Sequence, residues 1–158
     1  MSNTGFHLAQ VNVAIARYAY DDPRFAGFVD NLARVYELAE STPGFVWRHV
    51  TVNDDIEAKE AFGEPNLVFN MSVWESKDAL REFVYMSDHV SILRQRADWF
   101  VPMDRPVFAL WWQAAGTIPT IMESKHRLDR LQHAGPTEDA FTFRNFFEAP
   151  QAEEIANV

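Results

Sequence analysis

The chain has no cysteine in its 158 residues. Disulfide bridges, thiolate nucleophiles and zinc–thiolate sites are therefore excluded. It also lacks a Lys/Arg cluster, and its formal net charge is −9. Nucleic-acid binding needs a basic footprint and is set aside; acidic lipid surfaces are disfavoured for the same reason. No apolar run approaches membrane-spanning length, so no membrane partner is expected. The N-terminal MSNTGFHLAQ lacks the charged and apolar regions of a secretory signal. A cytoplasmic location is the expectation. There is no glycine-rich phosphate loop, no Gly-x-Ser-x-Gly elbow and no His-Glu-x-x-His. Nucleotide-dependent, serine-hydrolase and zincin chemistry thus find no support.

Aromatic residues are abundant at 14%, with 13 Phe and 5 Trp. That excess suits a large buried interface or an aromatic-lined pocket. The length fits one domain, residues 1–150, with 151–158 as a loosely held tail.

The segment 67–100 is the most informative. Residues 67–74 alternate strictly as a strand. Val68, Asn70, Ser72 and Trp74 share one face; Leu67, Phe69, Met71 and Val73 share the other. Ser76 can cap a long helix whose seam is Ala79, Phe83, Met86, Val90, Leu93, Ala97 and Phe100, with a break at Ser87-Asp88. Upstream, 7–16 reads as a strand. Asp21-Asp22-Pro23 opens a helix carrying Phe25, Phe28, Val29, Leu32, Val35, Tyr36 and Ala39 on one stripe, closed by Thr42-Pro43-Gly44. Residues 45–52 read as a second strand, with Phe45, Trp47 and His49 facing one way and Val46, Arg48 and Val50 the other. Residues 53–66 read as a loop with at most a helical turn. Residues 107–113 form a last strand, and Thr120 caps a helix ending at Gly135-Pro136. Phe141, Phe143, Phe146 and Phe147 lie in a tail segment that packs back to plug one end of a barrel. His126 and His133 read as surface residues.

The order strand, helix, strand, strand, helix, strand, helix predicts an α+β, ferredoxin-like βαββαβ fold with an extra C-terminal helix. One face of such a sheet is left bare. Here it carries Leu67, Phe69, Met71 and Val73, which predicts a homodimer with a second sheet against it.

The stretches LAQVNVA, DDPRFAGFV, STPGFVWR, LVFNMSVWES, LRQRADWF and GPTEDAFTFR resemble an uncharacterised bacterial domain-of-unknown-function family. That family falls in the dimeric α/β-barrel, antibiotic biosynthesis monooxygenase-like superfamily. The likeness runs from about Phe6 to Phe147. A narrower likeness is to cofactor-free quinone-forming monooxygenases, which use an Asn and a Trp on one strand and an Arg on the next helix. Asn70, Trp74 and Arg94 stand at similar spacing.

The resemblance implies a small-molecule enzyme that needs no bound cofactor. Its substrate would be apolar and carbonyl-bearing or phenolic, and the chemistry oxygenation, isomerisation or cyclisation. Asn70 and Trp74 would hold oxygen atoms, Arg94 or Arg48 would stabilise an enolate, and His89 would move a proton. Gln10, Asn12 and Ser72 complete a polar strip with Asn70; Tyr85 and Trp99 add aromatic wall. Each has a plainer reading: a satisfied amide, corner packing, a surface ion pair or core. Arg48, an inward-pointing cation, needs a partner, with Glu75 or Glu37 as candidates. A haem or small-ligand binding module is the alternative. No second histidine at metal-ligand spacing accompanies His89, which disfavours haem, and no metal site is expected.

Overall fold

The computed structural model describes residues 5–51, 53–85 and 95–150. The central strand β1, Phe6–Ile15, lies between β3, Leu67–Trp74, and β4, Phe108–Ala114. Strand β2, Phe45–Arg48, completes an antiparallel sheet of order β2-β3-β1-β4. That order is the ferredoxin-like arrangement, and the fold class is α+β. The helices are α1, Ala26–Ser41; α2, Ile56–Phe62; α3, Lys77–Tyr85; the short α4, Arg96–Trp99; and α5, Ile121–Ala134.

Local chemistry sets the helix starts. Asp22 Oδ1 accepts from the backbone N–H of Arg24 at 2.8 Å, capping a short turn over Pro23–Phe25 that leads into α1. Ser76 Oγ accepts from Ala79 N at 3.1 Å, as the capping pattern predicts. Thr120 Oγ1 accepts from Glu123 N at 3.0 Å at the head of α5. Met86, Ser87, Asp88, His89, Val90, Leu93 and Arg94 lie outside the described residues.

Strand alternation divides the sheet into two faces. On one, Ala9, Val11, Val13, Leu67, Phe69, Met71, Val73, Ala109 and Trp111 form a continuous apolar cluster. Ala58 and Phe62 of α2, with Ile121, Leu128 and Leu131 of α5, pack on it. This corrects the expectation of a bare face. Phe69 and Met71 are 3% and 1% exposed within one chain. The stretch read as a loop holds α2, and α2 and α5 together supply the apolar cover that a second sheet would have given. The surface argued to recruit a homodimer is therefore already buried.

The opposite face carries α1 and α3. Phe25, Phe28, Val29 and Leu32 pack with Val68, Trp99 and Phe100. Ala79, Leu80 and Phe83 pack with Leu8, Trp74 and Leu110. The tail joins this second group rather than closing a barrel end. Phe141 exchanges backbone hydrogen bonds of 2.8 and 2.9 Å with Leu110 on the edge of β4. Trp112 Nε1 donates to the Phe147 carbonyl at 2.8 Å.

Strand β2 corrects a further expectation. A bulge between Phe45 and Trp47 shifts its phase. Phe45 pairs with Trp74 and Arg48 with Ser72, so both lie on the α1 side. Trp47 pairs with Val73 on the other face, where His49 meets the Phe69 ring edge-on at 5.0 Å. His126 and His133 are exposed, as their helix pattern predicts.

Candidate functional site

Two apolar clusters share the α1/α3 face, and a polar strip separates them. Asn12 stands opposite Asn70, and Gln10 opposite Ser72, across the β1–β3 ladder. Gln10 is 4% and Ser72 5% exposed. Amides and hydroxyls buried this deeply must be hydrogen-bonded, or each costs about 1–3 kcal/mol. Gln10 Nε2 donates to Asn70 Oδ1 at 2.7 Å and to Ser72 Oγ at 2.7 Å. Trp74 Nε1 donates to the same Ser72 Oγ at 2.8 Å. Asn70 and Asn12 are half-buried, and among the described residues no protein group bonds the Asn12 amide or Asn70 Nδ2.

Trp74 is fully buried. Its ring stacks on Phe83 at 5.3 Å and meets Phe45 edge-on at 5.4 Å. Its N–H is spent on Ser72, so the indole holds the strip in place. Trp99 packs against Phe28 at 5.7 Å in the cluster containing Val68, two residues before Asn70 on the same strand. Tyr85 is 52% exposed, and its ring lies 5.8 Å from that of Phe143. With Asp78, Arg81 and Glu82 it lines an open depression of about 580 Å³ on α3. His89 and Arg94 are outside the described residues, so no geometry joins them to the strip.

Arg48 takes neither Glu75 nor Glu37. Its Nε donates to Glu40 Oε2 at 2.7 Å, and its guanidinium lies 4.1 Å from the Tyr36 ring centroid. Tyr36 and Glu40 are one helical turn apart on α1, and together they sandwich the cation. Burial raises the Tyr36 hydroxyl pKa; Arg48 opposes that rise and Asp55 adds to it.

A second polar group went unforeseen. His49 Nε2 is 2.8 Å from Asp55 Oδ1, and Thr51 Oγ1 donates to Asp55 Oδ2 at 3.3 Å. Asp54 and Asp55 both adopt left-handed backbone, with φ of 58° and 56°. The run Asn53-Asp54-Asp55 after a strand was the available signal, because short polar side chains tolerate that region. Among the described residues, no group of three or more His, Asp or Glu could hold a metal ion. No helix among them is long and apolar enough to cross a membrane.

The fold and the strip define an α+β ferredoxin-like domain with an amide-rich seam under its helices. The chain belongs to the family described as "Domain of unknown function (DUF3291)", whose model matches residues 7–157. No curated protein matches it. Among solved structures it is similar to SnoaB, a cofactor-independent oxygenase from Streptomyces nogalater. That match has 20% identity and a TM-score of 0.48, covering 72% of this chain and 98% of that one. A putative antibiotic biosynthesis monooxygenase from Chloroflexus aurantiacus matches at 11% identity and TM-score 0.43, over 73% of this chain and 98% of that one. A monooxygenase from the gene ActVA-Orf6 of Streptomyces coelicolor, in complex with nanaomycin D, matches at 19% identity and TM-score 0.36. It covers 74% of this chain and 94% of that one.

Proposed function

We propose that the protein is a small-molecule enzyme of the monooxygenase-like barrel type. It binds an apolar, carbonyl-bearing or phenolic molecule over the strip and acts on it without a bound cofactor. One observation carries this reading. The sheet face under α2 and α5 is sealed by one apolar cluster, whereas the face under α1 and α3 is interrupted by four polar side chains. Hydrocarbon at those positions would stabilise the fold more simply, so the polar groups point to a ligand.

In this reading Asn70 and Asn12 hold a ligand oxygen, and Ser72 and Trp74 hold Asn70 in place through Gln10. Arg48, paired with Glu40 and held on Tyr36, borders the strip through its register with Ser72. His89 moves a proton and Arg94 stabilises an enolate. An enolate or phenolate gives an electron pair to dioxygen, a carbon–oxygen bond forms, and the hydroperoxide loses water to leave a new carbonyl. Dioxygen is the oxidant throughout. Isomerisation or cyclisation of the same enolate needs the same groups without dioxygen. A single domain, 1–150, contains every residue named.

Anthrone tests this, because oxygenation consumes one dioxygen and yields anthraquinone and water. Oxygen uptake is expected to fall about 10²-fold in Asn70→Ala, as when one oxyanion donor is removed, and also to fall in His89→Ala. Uptake undiminished in both variants sinks the enzymatic reading.

A further inference from the structure

We propose that Gln10 is a positioning residue that fixes the direction of the Asn70 amide, so the site recognises a hydrogen-bond acceptor such as a ketone or phenolate oxygen. This rests on the reading of the strip as a ligand site.

Gln10 Nε2 has two acceptors, Asn70 Oδ1 and Ser72 Oγ, each at 2.7 Å. An amide nitrogen carries two protons, and this arrangement uses both. Turning the amide over would strand both N–H groups in a residue 4% exposed. Buried orphan N–H groups are rarer than under-satisfied carbonyls, which selects the first orientation. Trp74 Nε1 can only donate, and it occupies Ser72 Oγ from the other side at 2.8 Å. The chain of bonds therefore runs one way: Trp74 and Gln10 donate to Ser72, and Gln10 donates to Asn70.

The consequence falls on Asn70. Its carbonyl is occupied, so its Nδ2 protons turn away from Gln10, where no acceptor meets them among the described residues. Arg48 is in register with Ser72 on the same face, but Glu40 pairs with its charge, so the preference falls to the Asn70 protons alone. Two unpaired donor protons favour an electron-rich oxygen and disfavour an amine or ammonium group.

Side-chain amide hydrogen exchange, followed by ¹⁵N NMR on the ligand-free wild type, reads the direction with no substitution. The Gln10 amide should exchange about tenfold more slowly than that of Asn70; the reverse order overturns the assignment. Gln10→Glu, which can only accept, should transfer the protection to Asn70. With ligand probes, 1-tetralone should bind wild type about tenfold more tightly than tetralin, the loss of one hydrogen bond. Its bound carbonyl stretch should shift to lower wavenumber. Gln10→Glu should abolish both the preference for 1-tetralone over tetralin and the carbonyl shift. Equal affinities in wild type overturn the donor assignment while leaving an apolar site standing. Binding of neither probe defeats the ligand-site reading itself, and the exchange pattern still decides the role of Gln10.

Discussion

Gly44 and Ala79 approach so closely that no side chain fits between them. A Cβ on Gly44 would stand 2.5 Å from the Ala79 Cβ, and Gly44 has φ +92°. This contact docks the head of α3 onto the entry to β2, where the Gly44 carbonyl accepts from Glu75 N at 2.8 Å. Gly44→Ala should cost about 1–2 kcal/mol for the left-handed backbone and about 1–3 kcal/mol for overpacking. Adding Ala79→Gly should restore the second part and not the first. Urea midpoints of the three variants check this. A double variant no more stable than Gly44→Ala alone would show that the clash is not the cause.

Ser72 and Trp74 should behave as one unit. Ser72→Ala leaves the indole N–H of a fully buried ring without its acceptor, at a cost of about 1–3 kcal/mol. Trp74→Phe removes that donor and opens space beside Phe45 and Phe83. Once Trp74 is Phe, Ser72→Ala should cost distinctly less, so the two losses should sum to more than that of the double variant. Equilibrium denaturation gives all four stabilities. Additivity would mean that the hydrogen bond contributes nothing.

Strand β3 and its neighbours were legible because alternation from Leu67 to Trp74 survives unbroken in the structure. The strip of Gln10, Asn12, Asn70 and Ser72 was legible for the same reason. The phase of β2 was not, because the bulge between Phe45 and Trp47 leaves no mark in a four-residue strand. That slip also hid the partner of Arg48. Glu37 and Glu40 are neighbours on the same helix, and only the strand's phase selects Glu40. Helix α2 was missed because its seven residues are too few to hold a helix alone; the sheet face beneath stabilises it. Nor does a row of Leu67, Phe69, Met71 and Val73 say whether its cover comes from a second subunit or from the same chain. The apolar requirement is identical in both cases.

Arg48 is less exposed than Glu40, at 19% against 49% for their side chains. The ion pair is therefore partly screened, and the Tyr36 ring, 4.1 Å from the guanidinium, adds a second contact. Glu40→Gln should cost less than about 1 kcal/mol and weaken in effect at high salt. Arg48→Ala, which also loses the ring contact, should cost more. Denaturation at low and high salt separates the two terms. A loss in Arg48→Ala no larger than that in Glu40→Gln at both salt concentrations would deny the ring any role.

Alkaline pH offers a separate test. The Tyr20 hydroxyl is pushed from 10.0 up to about 12, first by burial and then by Tyr36, Asp55 and Asp54. Its folded value exceeds its unfolded value. Between about pH 10 and 12 the folded chain holds a proton the unfolded chain has lost, so stability is full below that window and declines across it. Half-exposure of Tyr20 limits the size of the effect. Absorbance at 295 nm should show late tyrosine titration that shrinks by one group in Tyr20→Phe, with Tyr36 still titrating late, and that variant should lose less stability across the window. An unchanged late titration in Tyr20→Phe would assign it elsewhere.

The cover over the second sheet face gives the last test. Leu128 and Leu131 are each 2% exposed and sit on the cluster containing Phe69, Met71 and Trp111. Leu128→Ala and Leu131→Ala should each cost about 2–5 kcal/mol, as buried leucine truncations do. A Leu128→Asp, Leu131→Asp double variant should do something different in kind. Two carboxylates cannot stay buried there unpaired, so α5 should lift and uncover the sheet. The exposed face should then bind a hydrophobic dye and associate, which sedimentation velocity detects. Association confined to the double variant would mean that α5 occupies the surface a second sheet would otherwise need. Wild-type stability and no dye binding in that variant would show that α5 does not seal the face.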